Sequence, residues 1–138
     1  MKISTKGRYG LKAVIDMAFR QEQGALSISN IAAKNDISES YLEQLFAKLK
    51  KANIVKSIRG AQGGYVLAKD TGDISVGDIL RALEGDLNPV DCPELSKDGK
   101  CTGSQACVSK IVWKKINDSV NKAVDEITLK SLIEESKK

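Results

Sequence analysis

Three cysteines, Cys92, Cys101 and Cys107, lie within sixteen residues of a chain that holds no other cysteine and no histidine. Their spacing is Cys-x8-Cys-x5-Cys, in a stretch bearing Gly, Asp and Lys that reads as a loop. A thiol used only for packing is a scattered small core residue. Clustered thiolates instead suit a soft metal, an iron–sulfur cluster or a redox-sensing thiol. A closed structural zinc site wants four Cys or His ligands, and only three are offered here. A sulfenate or disulfide formed among the three would also serve as a metal-free switch. Enzyme chemistry finds little support. There is no histidine base, no Ser or Cys elbow motif and no phosphate-cradling loop.

The surroundings suggest what such a site controls. Residues 1–75 carry 12 Lys+Arg against 7 Asp+Glu, a net of +5, and residues 76–138 carry 10 against 11, a net of −1. A basic first half on a neutral second half is the charge footprint of a nucleic-acid-binding head on a neutral body. Aromatics at 4% are too sparse for a base-stacking platform. The opening MKISTKGRYG has no apolar signal core. No stretch approaches the ~20 apolar residues that cross a bilayer. A soluble, cytoplasmic protein with no membrane partner is expected. Thiols stay reduced in that compartment, which favours metal or redox chemistry over a disulfide framework.

The positioning elements follow from pattern. Thr5 can cap a first helix over about residues 6–22, apolar around much of its circumference and ended by Gly24. Ser27 or Ser29 can cap a short helix to about Lys34, with the turn at Asn35-Asp36. Ser38 then caps a second helix, and Glu39 complements its dipole. Leu42, Leu45, Phe46 and Leu49 form its buried stripe, leaving Ser40, Glu43, Gln44, Ala47, Lys48 and Lys51 on other faces. Short helix, tight turn and polar-faced second helix are helix-turn-helix grammar. Ile54–Ile58 and Tyr65–Leu67 read as strands around a Gly-rich turn holding Arg59 and Gly60, which is a wing. Its small residues let the backbone approach DNA while Arg59 enters a narrow minor groove. Lys2, Lys6, Arg8, Lys48, Lys51 and Lys56 are candidate phosphate contacts. Gln44 can bond adenine and Glu43 can accept from cytosine. Glu43 also repels phosphate, so it penalises wrong sites.

Ser75 and Asp78 form a capping box for a helix with Ile79, Leu80 and Leu83 on its apolar face, closed by Gly85. A last long helix over about 107–127 carries Val108, Ile111, Val112, Ile116, Val120 and Val124. That stripe exceeds what a small head can bury, which points to dimerisation. Thr128 can cap a final short helix. The expected organisation is a mainly α chain: a winged helix-turn-helix domain over 1–85, a cysteine-bearing sensor loop over 86–106, and a dimerisation helix with a short terminal helix over 107–138.

The segments KISTKGRYGLKA, SESYLEQLFAKLKKA, VKSIRGAQGGYVLAK, ISVGDILRALEG and DEITLKSLIE together resemble the Rrf family of winged-helix regulators. The resemblance spans nearly the whole chain. It implies a homodimer that binds a pseudo-palindromic double-stranded operator and regulates transcription. It also implies that Ser40, Glu43 and Gln44 face the major groove, with Tyr41 and Ser57 near the backbone. Members of the IscR-like branch hold an iron–sulfur cluster in the loop before the dimerisation helix. By that likeness Cys92, Cys101 and Cys107 are ligands of a cluster of the 2Fe–2S kind. The IscR-like pattern has a His three residues after its last Cys, where this chain has Lys110. An NsrR-like acidic ligand would fall at Arg8. The fourth ligand is thus left to Asp91, Glu94, Asp98, Ser104, Ser109, water or an exogenous thiol. The alternative within the family is the CymR-like branch, which lacks the cysteines and responds to cysteine supply through a partner enzyme of cysteine synthesis.

Overall fold

The computed structural model describes residues 3–87 and 108–137. Helix α1 (Thr5–Phe19) is the strut on which the head is built. Gly7, Gly10, Ala13, Val14, Met17 and Ala18 are its buried side. Ser4 rather than Thr5 is the N-cap residue, and it makes no side-chain bond to the first turn. The helix stops short of the expected residue 22. The Arg20 amide is shared between the Asp16 and Met17 carbonyls, so the chain tightens into a 3-10 turn over Gln21–Gln23. Gly24, at φ 79°, then turns the chain away. Tyr9 and Phe19, part of its apolar circumference, are exposed.

Helix α2 (Ile28–Asn35) is capped by Ser27, whose hydroxyl accepts the Asn30 amide. Asp36 closes it in the left-handed region at φ 55°, which Asp tolerates better than most residues. Asn35 belongs to the helix rather than the turn. It is buried, and its amide donates to Ile31 O and Asp16 Oδ2. Helix α3 (Glu39–Lys51) follows after the short Asp36–Ser38 turn and inserts Leu42, Leu45, Phe46 and Leu49 into the core.

Strands β1 (Val55–Ile58) and β2 (Gly64–Leu67) form an antiparallel hairpin with Val55 opposite Leu67 and Ile58 opposite Gly64. Leu26 adds a single-residue bridge to Tyr65 on the hairpin's far edge. Helix α4 (Val76–Glu84) begins with the expected Ser75–Asp78 capping box. Helix α5 (Ser109–Glu126) and helix α6 (Leu129–Ser136) complete the chain, α6 opening on the expected Thr128 cap.

One core holds the head together, centred on Val14, Ile31, Leu45, Phe46, Leu49 and Ile79. Leu129 of α6 is buried in it, so the chain's end returns to the head. The return is tied by Leu129 N to Ile74 O at 3.0 Å and Val76 N to Ile127 O at 2.7 Å. A smaller cluster of Val76, Leu80 and Leu87 receives Val120 and Val124 from α5. This architecture is the expected mainly helical winged fold. Among the described residues no helix is long and apolar enough to cross a membrane.

Candidate nucleic-acid interface

Four apolar side chains decide what α3 shows to solvent. With Leu42, Leu45, Phe46 and Leu49 fully buried, the helix cannot rotate without emptying the core. Ser38, Glu39, Ser40, Glu43, Gln44, Ala47, Lys48 and Lys51 are left exposed. The Ser38 hydroxyl accepts the Tyr41 amide at 3.3 Å and so fixes where the helix starts. Glu39 in the first turn and Lys48, Lys50 and Lys51 in the last both suit the helix dipole. Glu39 and Glu43 stand at i,i+4, where like charges cost a few tenths of a kcal/mol. Glu43 is therefore exposed on α3 without an i,i+4 partner that stabilises the helix.

Both ends of α3 are clamped. At its start, Tyr41 meets Tyr9 of α1 edge-on with ring centroids 6.3 Å apart, and the Tyr41 hydroxyl reaches Thr5 Oγ1 at 3.5 Å. This sets the first turns of α1, which carry the exposed Lys6 and Arg8, against the beginning of α3. At its end, Phe46 packs edge-on against Tyr65 of β2 at 5.0 Å. Lys50 donates to Ser57 of β1 at 3.2 Å. Ser57 is thus tied to α3 as well as lying on the wing. The wing tip holds Arg59 exposed and Gly60 at φ 113°, a conformation open to glycine and strained for other residues.

Sequence patterns missed several of these clamps. Asp16 and Arg20 pair along α1, and Arg20 continues to Asn30 of α2 at 2.6 Å. The i,i+4 spacing of Asp16 and Arg20 signals the pair, but nothing local signals Asn30. The Lys50–Ser57 and Tyr41–Thr5 contacts join distant segments and leave no periodic trace.

The C-terminal stripe divides in two. Val108, Ile111, Val112 and Ile116 are exposed by 73, 65, 52 and 37%. Val120 and Val124, placed on the same expected dimer face, are partly buried within the chain against Val76, Leu80 and Leu87. Arg81 of α4 fixes that crossing. It holds Asp125 through two bonds of 2.7 and 2.9 Å and reaches Asn121 Oδ1 at 2.6 Å. Hydrogen bonding to Asp125 raises the guanidinium pKa further, against a smaller opposing effect of burial.

Cys92, Cys101, Cys107 and Lys2 lie outside the described residues, as do the alternative ligands Asp91, Glu94, Asp98 and Ser104. The described flanks of the cysteine segment are Leu87, buried just beyond α4, and Val108, exposed at the start of α5.

Three comparisons bear on this geometry. A family model described as Rrf2, iron-dependent transcriptional regulator, matches residues 3–135. The transcriptional regulator CymR of Bacillus subtilis is 45% identical over 132 residues, covering 96% of this chain and 89% of that protein. The solved structure of that global cysteine regulator superposes with a TM-score of 0.80, covering 96% of this chain and 95% of its own. The solved structure of T. potens IscR superposes with a TM-score of 0.79 at 44% identity, covering 99% of this chain and 88% of its own.

Proposed function

The chain belongs to the Rrf2 family of transcriptional regulators, and from that premise we propose that it is a homodimer that recognises a pseudo-palindromic double-stranded operator and reports iron–sulfur status through Cys92, Cys101 and Cys107. It is a regulator and not an enzyme. The observation that carries the DNA reading is α3: a capped helix, locked by four buried side chains and clamped at both ends, with a polar outer face.

Ser40, Glu43 and Gln44 read base edges in the major groove. Lys2, Lys6, Arg8, Lys48 and Lys51 set the head on the phosphates. Tyr41 and Ser57 approach the backbone, and Arg59 with Gly60 enters the minor groove. The exposed Val108, Ile111, Val112 and Ile116 supply the apolar dimer face. Two heads held that way reach half-sites about 34 Å apart, or a multiple of it.

The donor set suits a cluster. Iron–sulfur irons take thiolate ligands, and the chain offers three in one segment. Cys92, Cys101 and Cys107 would hold a 2Fe–2S cluster, with Lys110 and Arg8 standing where related branches place their fourth ligand. When bound, the cluster would supply an occupancy that tracks iron, sulfide and oxidant. A regulator with one non-cysteine ligand gains or loses such a group readily, which suits a sensor.

A second reading has its own support. Similarity to CymR, a protein described as a global cysteine regulator, is as great as that to IscR. On that reading the signal is cysteine supply, delivered by a partner enzyme. One experiment separates them. The protein is purified without oxygen, and its visible absorption, iron and sulfide are compared with those of a triple Cys→Ala variant. Coloured protein with iron and sulfide that the variant lacks supports the cluster. Colourless, iron-free protein after reconstitution contradicts it and leaves thiol oxidation or a partner enzyme as the signal.

A further inference from the structure

Helix α1 starts without the side-chain bond that helix starts usually have. Its N-cap residue, Ser4, takes no amide of the first turn. The Ser4 hydroxyl donates instead to Glu84 Oε1, eighty positions away. The same carboxylate oxygen accepts the Gly7 amide at 2.8 Å. Gly7 is the third residue of the helix, whose amide a Ser or Asp cap ordinarily takes. The last residue of α4 therefore caps α1, and its charge meets the positive end of the α1 dipole.

The approach depends on glycine. A Cβ on Gly7 would stand 2.8 Å from Glu84 Oε1 and 2.9 Å from Ile3 Cγ2. One turn further, a Cβ on Gly10 would collide with Leu83 Cδ1. Burial alone pushes the Glu84 carboxyl up. The bonds from Ser4 and Gly7, with Lys6 nearby, outweigh it and hold the group below its ordinary value.

The turn capped in this way carries Thr5, Lys6, Arg8 and Tyr9. Thr5 and Tyr9 of α1 both meet Tyr41, and Tyr41 sits between Ser40 and Glu43 at the start of α3. We propose that Glu84 is a positioning residue for operator binding: by capping α1 from α4 it fixes the turn that orients the start of the recognition helix. Glu84 itself touches no DNA. The inference rests on the reading of α3 as the DNA-reading helix.

The test uses the full-length protein and two probes of equal length, a duplex selected from a random-sequence library by the wild-type chain and an unselected duplex. Glu84→Ala should weaken binding of the selected duplex about fivefold, the loss a missing cap produces. It should change binding of the unselected duplex far less, since Lys6 and Arg8 keep their charges and contacts to phosphate on unselected DNA tolerate small displacements. Glu84→Gln should restore most of the selected-duplex affinity, because an amide oxygen accepts the same two bonds. A purely structural role would lower the folded fraction and weaken both duplexes alike. The inference is overturned if folded Glu84→Ala keeps wild-type preference, or if Glu84→Gln is as impaired as Glu84→Ala. Should Glu84→Ala not fold, Ser4→Ala removes one of the two donors and must still reduce the preference. Failure of the underlying reading looks different: the wild-type chain itself would enrich no duplex.

Discussion

Gln44 and Lys48 stand one helical turn apart on α3, and DNA should distinguish them sharply. Gln44→Ala is expected to cost about 1–3 kcal/mol on the selected duplex and to relax the choice of one base pair, leaving unselected DNA unaffected. Lys48→Ala should weaken all duplexes about equally and flatten the dependence on salt by about one counterion. Binding titrations over a salt series separate the two, and identical profiles would refute the division between base reading and phosphate contact. Glu84 adds a pH signature. Its folded-state pKa is depressed, so its contribution to stability is complete above the unfolded value near 4.5 and is lost as pH falls through the folded value. Unfolding midpoints of Glu84→Gln should therefore fall off less steeply than wild type below about pH 4.5. Parallel acid limbs would count against a charged Glu84 in the folded protein.

At the scale of elements, what could be read in advance was local. Ser38, Ser75 with Asp78, and Thr128 announce helix starts because a cap acts on its own next turn. The buried stripe of α3 is legible because helical period and burial coincide. The end of α1 was not legible, since Gln21–Gln23 favour helix and only the shared Arg20 amide shows the change to a 3-10 turn. Glu84 as a cap, Arg81 holding Asp125, and Leu26 bridging Tyr65 join segments far apart, where sequence pattern carries no signal. The divided face of α5 has a testable consequence. Ile111→Asp should dissociate a dimer while leaving the thermal midpoint of the head nearly unchanged. Val124→Ala should instead lower that midpoint, by about 1 kcal/mol of stability for two partly buried methyl groups, and leave the dimer intact. Sedimentation and thermal unfolding read both, and a monomeric wild-type protein would contradict the assignment of Val108, Ile111, Val112 and Ile116.

At the scale of the whole molecule, a head of net +5 and a remainder of −1 separate the DNA-binding charge from the cysteines. Helix α4 joins α1 to α5: its end caps α1, its Arg81 side holds α5, and Leu87 just beyond it packs into their shared cluster. A ligand at the cysteines can alter DNA binding only by its differential affinity for two arrangements of these helices. The central claim is thus a coupling between Cys92, Cys101 and Cys107 and operator choice. The most direct test is an anaerobic binding titration of the selected duplex by cluster-loaded protein, unloaded protein and the triple Cys→Ala variant. Coupling predicts that loading shifts affinity or sequence preference in the wild-type chain and does neither in the variant. Equal affinity and equal preference in all three, with iron and sulfide verified in the loaded sample, would contradict it.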